Sequence, residues 1–186
     1  TIIERMGSLT QHLKSFARKG TTSNQVTDIV AAIRYGLSLT DYRVAEDKGK
    51  IEMKIPENPV YVLGNAVRLE QVVVNLISNA LDAMREKEKR HLIVELVDKN
   101  NSMVLTVSDT GRGIPDDEIG HVFDPFYTTK DVGQGLGLGL SISYSIIRDM
   151  GGNIEIDSEV DVGTVFRVTL PHVAEVETRM VAGARG

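Results

Sequence analysis

The 186-residue sequence predicts an α+β fold, a two-layer sandwich in which a mixed sheet is covered by helices on one face, with a short helix at the N-terminus. Two observations lead to this prediction. Segments with an apolar residue at every second position come in adjacent pairs, which favours hairpins, and segments with helical periodicity stand between the pairs. The resulting order, α-β-β-α-β-β-α-β-β after the N-terminal helix, argues against a doubly wound sheet.

The N-terminal helix is predicted over residues 1–19, and Gly20 is placed to end it. Its apolar residues follow a narrow 4-3-4-3 spacing that suits packing against another helix; they are Ile2, Met6, Leu9, Leu13 and Phe16. Two hypotheses remain for this seam: half of a dimer interface, which we favour, or a helix that packs back on the domain. Because two heptads bury little apolar surface, any dimer of this chain alone is expected to be weak.

The second helix is predicted to open at Thr22, whose spacing to Gln25 matches a capping box. Its apolar face consists of Val26, Ile29, Val30, Ile33 and Leu37. Two strand candidates follow, "KIEMKI" and "VYVLG", with the turn "PENP" between them. The next helix, from about 65 to 87, is the longest, and the residues placed to face the sheet are Val72, Val73, Leu76, Ala80 and Met84.

Two more strand pairs and one helix complete the domain. The strands "HLIVELVD" and "SMVLTVSD" are joined by the turn "KNN". A helix over about 141–150 precedes a final hairpin of "GNIEIDSE" and "GTVFRVTLP". Pro171 ends the last strand, and the tail beyond it is expected to be flexible. The predicted division is therefore 1–20, 21–171 and 172–186.

The composition argues against several classes of protein. A net charge of −5 argues against a general nucleic-acid binder. The absence of cysteine excludes disulfides and zinc-thiolate sites. No apolar run approaches a membrane-spanning length, and no signal-peptide pattern opens the chain. We expect a cytoplasmic domain, cut from a longer protein because it starts at Thr1 without a methionine.

The long helix carries a polar stripe. Asn75, Asn79 and Asp82 fall at i, i+4 and i+7, on one side of the helix. Asparagine is costly inside a helix because its side chain competes for backbone hydrogen bonds. One interpretation is two partly exposed polar residues. The other is a magnesium–phosphate site, since an amide oxygen binds Mg²⁺ without adding negative charge beside a triphosphate.

The segment "VSDTGRGIP" ends a strand at Asp109, and Gly111 and Gly113 allow a sharp turn or a close approach to a ligand. Taken alone, the pattern is typical of an acidic turn. After the asparagine helix it suggests a base pocket, because a buried carboxylate accepts a hydrogen bond from the exocyclic amine of adenine. Guanine presents an acceptor there and would leave the carboxylate unpaired.

Alternating glycines stand just before a predicted helix; they are Gly133, Gly135, Gly137 and Gly139. The backbone N–H groups at a helix N-terminus form an anion site, yet the pattern is neither a phosphate-binding loop nor a dinucleotide fingerprint. It indicates either a plain flexible loop or a mobile lid over phosphates. Lys130, directly upstream, favours the lid, with Phe123 and Phe126 expected to anchor one edge as apolar pegs.

Four segments together resemble a known family. "NLISNALDA", "DTGRGI", "FDPFYTT" and "GQGLGLGL", in this order and spacing, resemble the N box, first glycine box, Phe box and second glycine box of sensor histidine kinases. Those kinases share the Bergerat (GHKL) ATP-binding fold with DNA gyrase, the mismatch-repair ATPases and the large heat-shock chaperones. The likeness covers about residues 22–171, and "FYTTK" resembles the nitrogen-regulation and dicarboxylate-sensing branch.

The resemblance implies a role for each box in binding ATP and Mg²⁺. It implies that Asn79 ligates Mg²⁺, with Asn75 as a second candidate ligand on the phosphate side, and that Lys130 contacts the terminal phosphates as a catalytic residue beside Asn79. It implies that Asp109 binds the adenine amine and that Thr164 helps through water. The remaining implied nucleotide contacts are Asp82, Gly111, Gly113, Ile114, Phe123, Phe126, Thr128, Thr129, Gly135, Leu136, Gly137, Leu138, Gly139 and Leu140, with the three glycines from Gly135 onward as lid hinge.

The family's phospho-accepting histidine is not expected in this chain. It lies on the first helix of a dimerisation hairpin, and residues 1–20 resemble only the second half of that hairpin. His12 has no acidic neighbour to serve as a base, and His91, His121 and His172 are expected on the surface. The implied partners are the phospho-acceptor hairpin of the same parent protein and the receiver domain of a response regulator. The parent is expected to be a homodimer in the cell membrane, and this fragment a monomer or weak dimer.

Two alternatives to the kinase remain. An ATP-hydrolysing clamp of the gyrase or chaperone type has a glutamate where this chain has Asn75, and an amide cannot take a proton from water. A degenerate nucleotide-binding scaffold would act only through partners, although every expected ligand residue is present.

Overall fold

The structure, a computed structural model, describes residues 24–40, 50–130 and 136–173. The predicted N-terminal helix, the first capping residue Thr22, the glycines at 133 and 135, and the tail beyond residue 173 lie outside the described residues.

The described residues form seven strands and four helices. The strands are β1 (Gln25–Asp28), β2 (Lys50–Lys54), β3 (Tyr61–Gly64), β4 (His91–Lys99), β5 (Ser102–Asp109), β6 (Asn153–Glu159) and β7 (Gly163–Pro171). The helices are α1 (Ile29–Ser38), α2 (Ala66–Met84), α3 (Asp116–Ile119) and α4 (Gly139–Asp149). The long helix therefore ends three residues earlier than predicted, and the helix after the glycines begins two residues earlier. The short helix α3, after Pro115, was not predicted.

Five strands form one mixed sheet in the order β2-β4-β5-β7-β6. The pairing of β2 with β4 is parallel, and the other three pairings are antiparallel. The predicted hairpins β4–β5 and β6–β7 are confirmed. In the first, Asn100 and Asn101 both have positive φ, which is the conformation of a two-residue turn that matches the twist of its strands.

The core lies on one face of this sheet, as predicted. Along β5 each second residue is buried, and those residues are Met103, Leu105, Val107 and Asp109. Helix α2 covers that face with Leu69, Val72, Val73, Leu76, Ile77, Ala80, Leu81 and Met84, all buried. Since the alternate residues of the strand remain partly exposed, the helices among the described residues cover one side of the sheet.

The predicted start of the second helix is wrong. Gln25 lies in β1, where Val26 is 60% exposed, and α1 begins only at Ile29. The N-cap is Asp28, whose Oδ1 accepts the backbone N–H groups of Val30 at 2.9 Å and Val60 at 3.2 Å. The same carboxylate thus caps the helix and fixes the start of β3, which a cap at Thr22, six residues earlier, would not do.

The strands β2 and β3 do not pair with each other, although they are adjacent in the sequence. Strand β3 pairs with β1 in a separate two-stranded sheet, and β2 joins the edge of the large sheet beside β4. The segment "PENP" is therefore a crossing between sheets and not a hairpin turn. Among the described residues, no helix combines the length and apolar character needed to cross a lipid bilayer.

Candidate nucleotide site

A buried carboxylate lies at the end of β5. Asp109 is 6% exposed, and its Oδ1 accepts the backbone N–H of Gly111 at 2.7 Å. Removal from water raises the pKa of Asp109 to about 6, although hydrogen bonds from the backbone of Gly111 and Thr164 act in the opposite direction. This side chain combines a strong acceptor with a dry environment, as the sequence predicted for a base pocket.

The neighbouring strand supplies a hydroxyl pair beside Asp109. Thr164 lies opposite Asp109 in the β5–β7 pairing and is 3% exposed. Its Oγ1 lies 2.9 Å from Ser158 Oγ, which donates to the carbonyl of Gly163 at 3.0 Å and accepts the N–H of Ile114 at 2.9 Å. Ser158 Oγ therefore has three hydrogen-bond partners, Gly163, Ile114 and Thr164, and either hydroxyl of the Ser158–Thr164 pair is able to donate to the other. Sequence reasoning missed Ser158, whose only signal was a hydroxyl near the end of a hairpin strand.

The loop after Asp109 is folded against the end of α2. The N–H of Arg112 donates to the carbonyl of Ala83 at 3.1 Å. Ala83 directly follows Asp82 in the sequence, so this bond holds the loop at the end of α2 that carries Asp82. Gly113 has φ +70, and a Cβ there would stand 2.1 Å from the carbonyl oxygen of Glu159. Only glycine fits here, because the backbone of the hairpin β6–β7 approaches Gly113 closely. A close approach of this loop to a ligand stays a prediction.

The polar stripe of α2 divides into two parts. Asn75 Nδ2 donates to the carbonyl of Gly139 at 3.1 Å and to Ser143 Oγ at 3.2 Å. It therefore fixes the first turn of α4, where the glycine-rich segment ends. Asn79 and Asp82 face Lys130 instead, whose Nζ lies 3.0 Å from Asn79 Oδ1 and 2.6 Å from Asp82 Oδ2. Lys130 thus contacts Asn79 and Asp82, whereas Asn75 is hydrogen-bonded to α4.

The Phe-containing segment is only partly buried. Phe123 packs against the core and its ring lies 5.3 Å from that of Tyr144. Phe126 is 72% exposed and has φ +69, so the prediction that it is an anchoring peg is wrong for this residue. Its N–H donates to the carbonyl of Gly137 at 3.0 Å. The backbone of Phe126, and not its ring, therefore holds the segment to the glycines.

The two threonines before Lys130 hold the chain at this point. Thr128 Oγ1 accepts the N–H of Lys130 at 3.2 Å, and Thr129 Oγ1 accepts from Arg112 Nη2 at 2.7 Å. Arg112 was not among the predicted site residues, although it stands between two glycines that were. It links the loop after Asp109 to the segment that carries Lys130.

Of the predicted leucine contacts, Leu138 and Leu140 pack against the core, and Leu136 is 40% exposed. Gly137 has φ +66, and a Cβ there would lie 2.5 Å from the backbone of Phe126. Gly139 is the first residue of α4. The hinge role of these glycines stays a prediction, and Gly135 lies outside the described residues.

Comparison with known proteins agrees with this geometry. Residues 64–174 match the family described as "Histidine kinase-, DNA gyrase B-, and HSP90-like ATPase". The chain belongs to this family. Its relatives place it among the sensor histidine kinases, so it is an ATP-binding domain of that type, as the resemblance implied.

Two curated relatives illustrate the likeness. The C4-dicarboxylate transport sensor protein DctB of Rhizobium meliloti is 39% identical over 169 residues, which are 91% of this chain and 27% of that protein. The sensor kinase CckA of Brucella abortus is 38% identical over 189 residues, covering 92% of this chain and 19% of that protein. The chain thus spans about a quarter or less of the length of these relatives.

Two solved structures share the fold. The catalytic domain of the histidine kinase ThkA, in a nucleotide-free form, superposes with a TM-score of 0.70 at 27% identity, over 80% of this chain and 97% of that one. The full-length kinase ShkA, in complex with AMPPNP, gives 0.77 at 25% identity, over 90% of this chain and 36% of that one. The predicted α+β sandwich of the GHKL type is confirmed.

Proposed function

We propose that this ATP-binding domain transfers the γ-phosphate of ATP to a histidine on a dimerisation hairpin of its parent protein, for relay to an aspartate of a response-regulator receiver domain. The parent is proposed to be a homodimer held in the cell membrane. The observation that carries the nucleotide assignment is Asp109, a carboxylate 6% exposed at the end of a central strand. Burying it without a ligand has a free-energy cost that a bound adenine amine would offset.

The residues around Asn79 fit a magnesium ion. Two oxygens, Asn79 Oδ1 and Asp82 Oδ2, already face one cationic group, the Lys130 ammonium. Oxygen ligands are those that Mg²⁺ prefers, and it usually takes one or two from the protein with substrate phosphates completing the shell. Asn79 is the proposed ligand, with Asn75 on the phosphate side. When bound, the ion would neutralise charge on the phosphates during transfer.

The chain's own residues would contribute position and charge. Asp109 and Thr164 orient the base, and the Gly111–Gly113 loop closes one side of the pocket. Lys130 supplies a positive charge for the terminal phosphate. The hydrogen bonds of Asn75 to Gly139 and Ser143 hold the start of α4, whose backbone N–H groups favour anions.

The amide at position 75 also supports transfer over hydrolysis. Asn75 cannot act as a general base toward water, and its hydrogen-bond partners are a carbonyl and a hydroxyl. This favours a kinase over an ATP-hydrolysing clamp. We therefore expect the isolated domain to bind ATP with slow hydrolysis, and to phosphorylate an acceptor hairpin supplied in trans.

Calorimetric titration with ATP and GTP, each with and without Mg²⁺, tests the nucleotide assignment. ATP is expected to bind at least about a hundredfold more tightly than GTP, because guanine leaves the carboxylate unpaired. Asn79→Ala is expected to weaken Mg²⁺–ATP binding by about tenfold or more. The matched control is the exposed Asn58→Ala. Equal affinity for ATP and GTP would refute the base pocket, and an unchanged Asn79→Ala variant would refute the metal ligand.

A further inference from the structure

One contact in the site is not explained by the nucleotide assignment. Lys130 Nζ lies 2.6 Å from Asp82 Oδ2 and 3.0 Å from Asn79 Oδ1. The lysine and aspartate side chains are 26% and 25% exposed, so the contact is partly shielded from solvent. Asn79 and Asp82 are one turn apart on α2, and both direct an oxygen at the same ammonium.

This position suits only one cation at a time. An amide oxygen and a carboxylate oxygen are ligands for a hard divalent ion, and an ammonium uses the same oxygens as hydrogen-bond acceptors. A divalent ion and an ammonium within a few ångströms repel each other strongly in a partly shielded site. If Mg²⁺ binds Asn79, the Lys130 ammonium has to leave that oxygen.

We propose that Lys130 is the resident cation of the nucleotide-free site, and that Mg²⁺ displaces its ammonium from Asn79 and Asp82. The displaced ammonium is then available for the terminal phosphate, a step that rests on the proposed function. Asp82 serves both cations in turn, because its carboxylate holds Lys130 before the ion arrives and ligates the ion once the ammonium has left.

The surrounding contacts allow this exchange without a large backbone movement. The backbone N–H of Lys130 is bound to Thr128, and the preceding Thr129 is bound to Arg112. The chain before Lys130 is therefore held, while the four-carbon stem of lysine is free to change rotamer. Ion pairs that are partly exposed contribute little net stability, so giving up the pair has a small cost.

Binding of Mn²⁺ alone to the nucleotide-free chain, followed by electron paramagnetic resonance, tests the proposal. Removing the ammonium with Lys130→Met is expected to tighten Mn²⁺ binding at least about tenfold over wild type. The matched control is Lys87→Met, because Lys87 forms an ion pair of the same 2.6 Å length with Asp161 elsewhere. Equal affinities for wild type and Lys130→Met, or no Mn²⁺ binding by Lys130→Met, would overturn the proposal.

A second titration tests where the Mn²⁺ ion binds. Adding Asp82→Asn to Lys130→Met is expected to abolish the gain in Mn²⁺ affinity, and a double variant that keeps the gain would overturn the proposal. Because these titrations contain no nucleotide, they separate the two ideas. If the Mn²⁺ affinities change as expected in a chain that does not bind ATP, the cation exchange is supported and the proposed nucleotide role is refuted. ATP binding without any Mn²⁺ difference would refute the exchange alone.

Discussion

The buried carboxylate at Asp109 should make the nucleotide-free domain less stable than it would be without its charge. Its pKa is raised from 3.8 to about 6 by burial. At about 1.4 kcal/mol per pH unit, this difference corresponds to roughly 3 kcal/mol of lost stability once the carboxylate is ionised in both states. Asp109→Asn removes the ionisation, and its Oδ1 is still able to accept the N–H of Gly111.

The direction of the pH dependence follows from the raised pKa. Between pH 3.8 and about 6 the folded chain retains a proton that the unfolded chain has released, so wild-type stability falls as the pH rises through this window. Above it, both states are ionised and the slope vanishes. Asp109→Asn has no such slope. The variant should therefore gain stability relative to wild type as the pH rises, by about 2 kcal/mol between pH 4 and pH 7.

Urea unfolding of both proteins at a series of pH values, without nucleotide, measures this difference. The absolute difference in unfolding free energy between the two proteins also contains the cost of burying the side-chain NH₂ group of asparagine. The dependence of that difference on pH is therefore the decisive quantity. Asp98→Asn, which makes the same substitution at an exposed position of β4, is the control. A wild-type minus Asp109→Asn difference that stays constant from pH 4 to pH 7 would show that the carboxylate is not buried as described.

Two further predictions concern the scaffold of the site. Gly113→Ala places a Cβ 2.1 Å from the carbonyl of Glu159 at φ +70, so we expect a loss of more than about 2 kcal/mol in thermal or urea unfolding. Gly120→Ala, where nothing lies within 4 Å, should be nearly neutral, and similar losses in both would contradict this geometry. Leu76→Ala, at a fully buried position of α2, should cost about 2–5 kcal/mol in the same assay. Val67→Ala, 70% exposed on the same helix, should change stability by less than about 0.5 kcal/mol, and equal effects would contradict the packing.

The sequence was sufficient for the parts of the site that depend on periodicity. Helical spacing put Asn79 and Asp82 on one side of α2, and both meet the same partner in the structure. The sequence pattern predicted a strand that ends at Asp109, and Asp109 is the last of the alternately buried residues of β5 in the structure. In both cases the relevant contacts follow from the regular geometry of one element, which a pattern within a few residues encodes.

The sequence was insufficient where distant segments decide the outcome. The parallel pairing of β2 with β4 joins strands about 40 residues apart, and local turn signals favoured a hairpin with β3 instead. Lys130 meets α2 across about 50 residues, so no local pattern names its partners. Phe126 has an exposed ring and a positive φ, which is uncommon for a bulky residue and has no signal in its side-chain chemistry.

The site and the core share one helix, and this links their geometries. The register of α2 that buries Leu76 and Ala80 against the sheet also presents Asn75 and Asn79 on the adjoining side, because successive residues are turned by a constant angle. A rotation of the helix that improved core packing would move both amides away from Gly139 and Lys130. Asparagine is unfavourable inside a helix, and the buried apolar residues of α2 keep Asn75 and Asn79 in place despite this local cost.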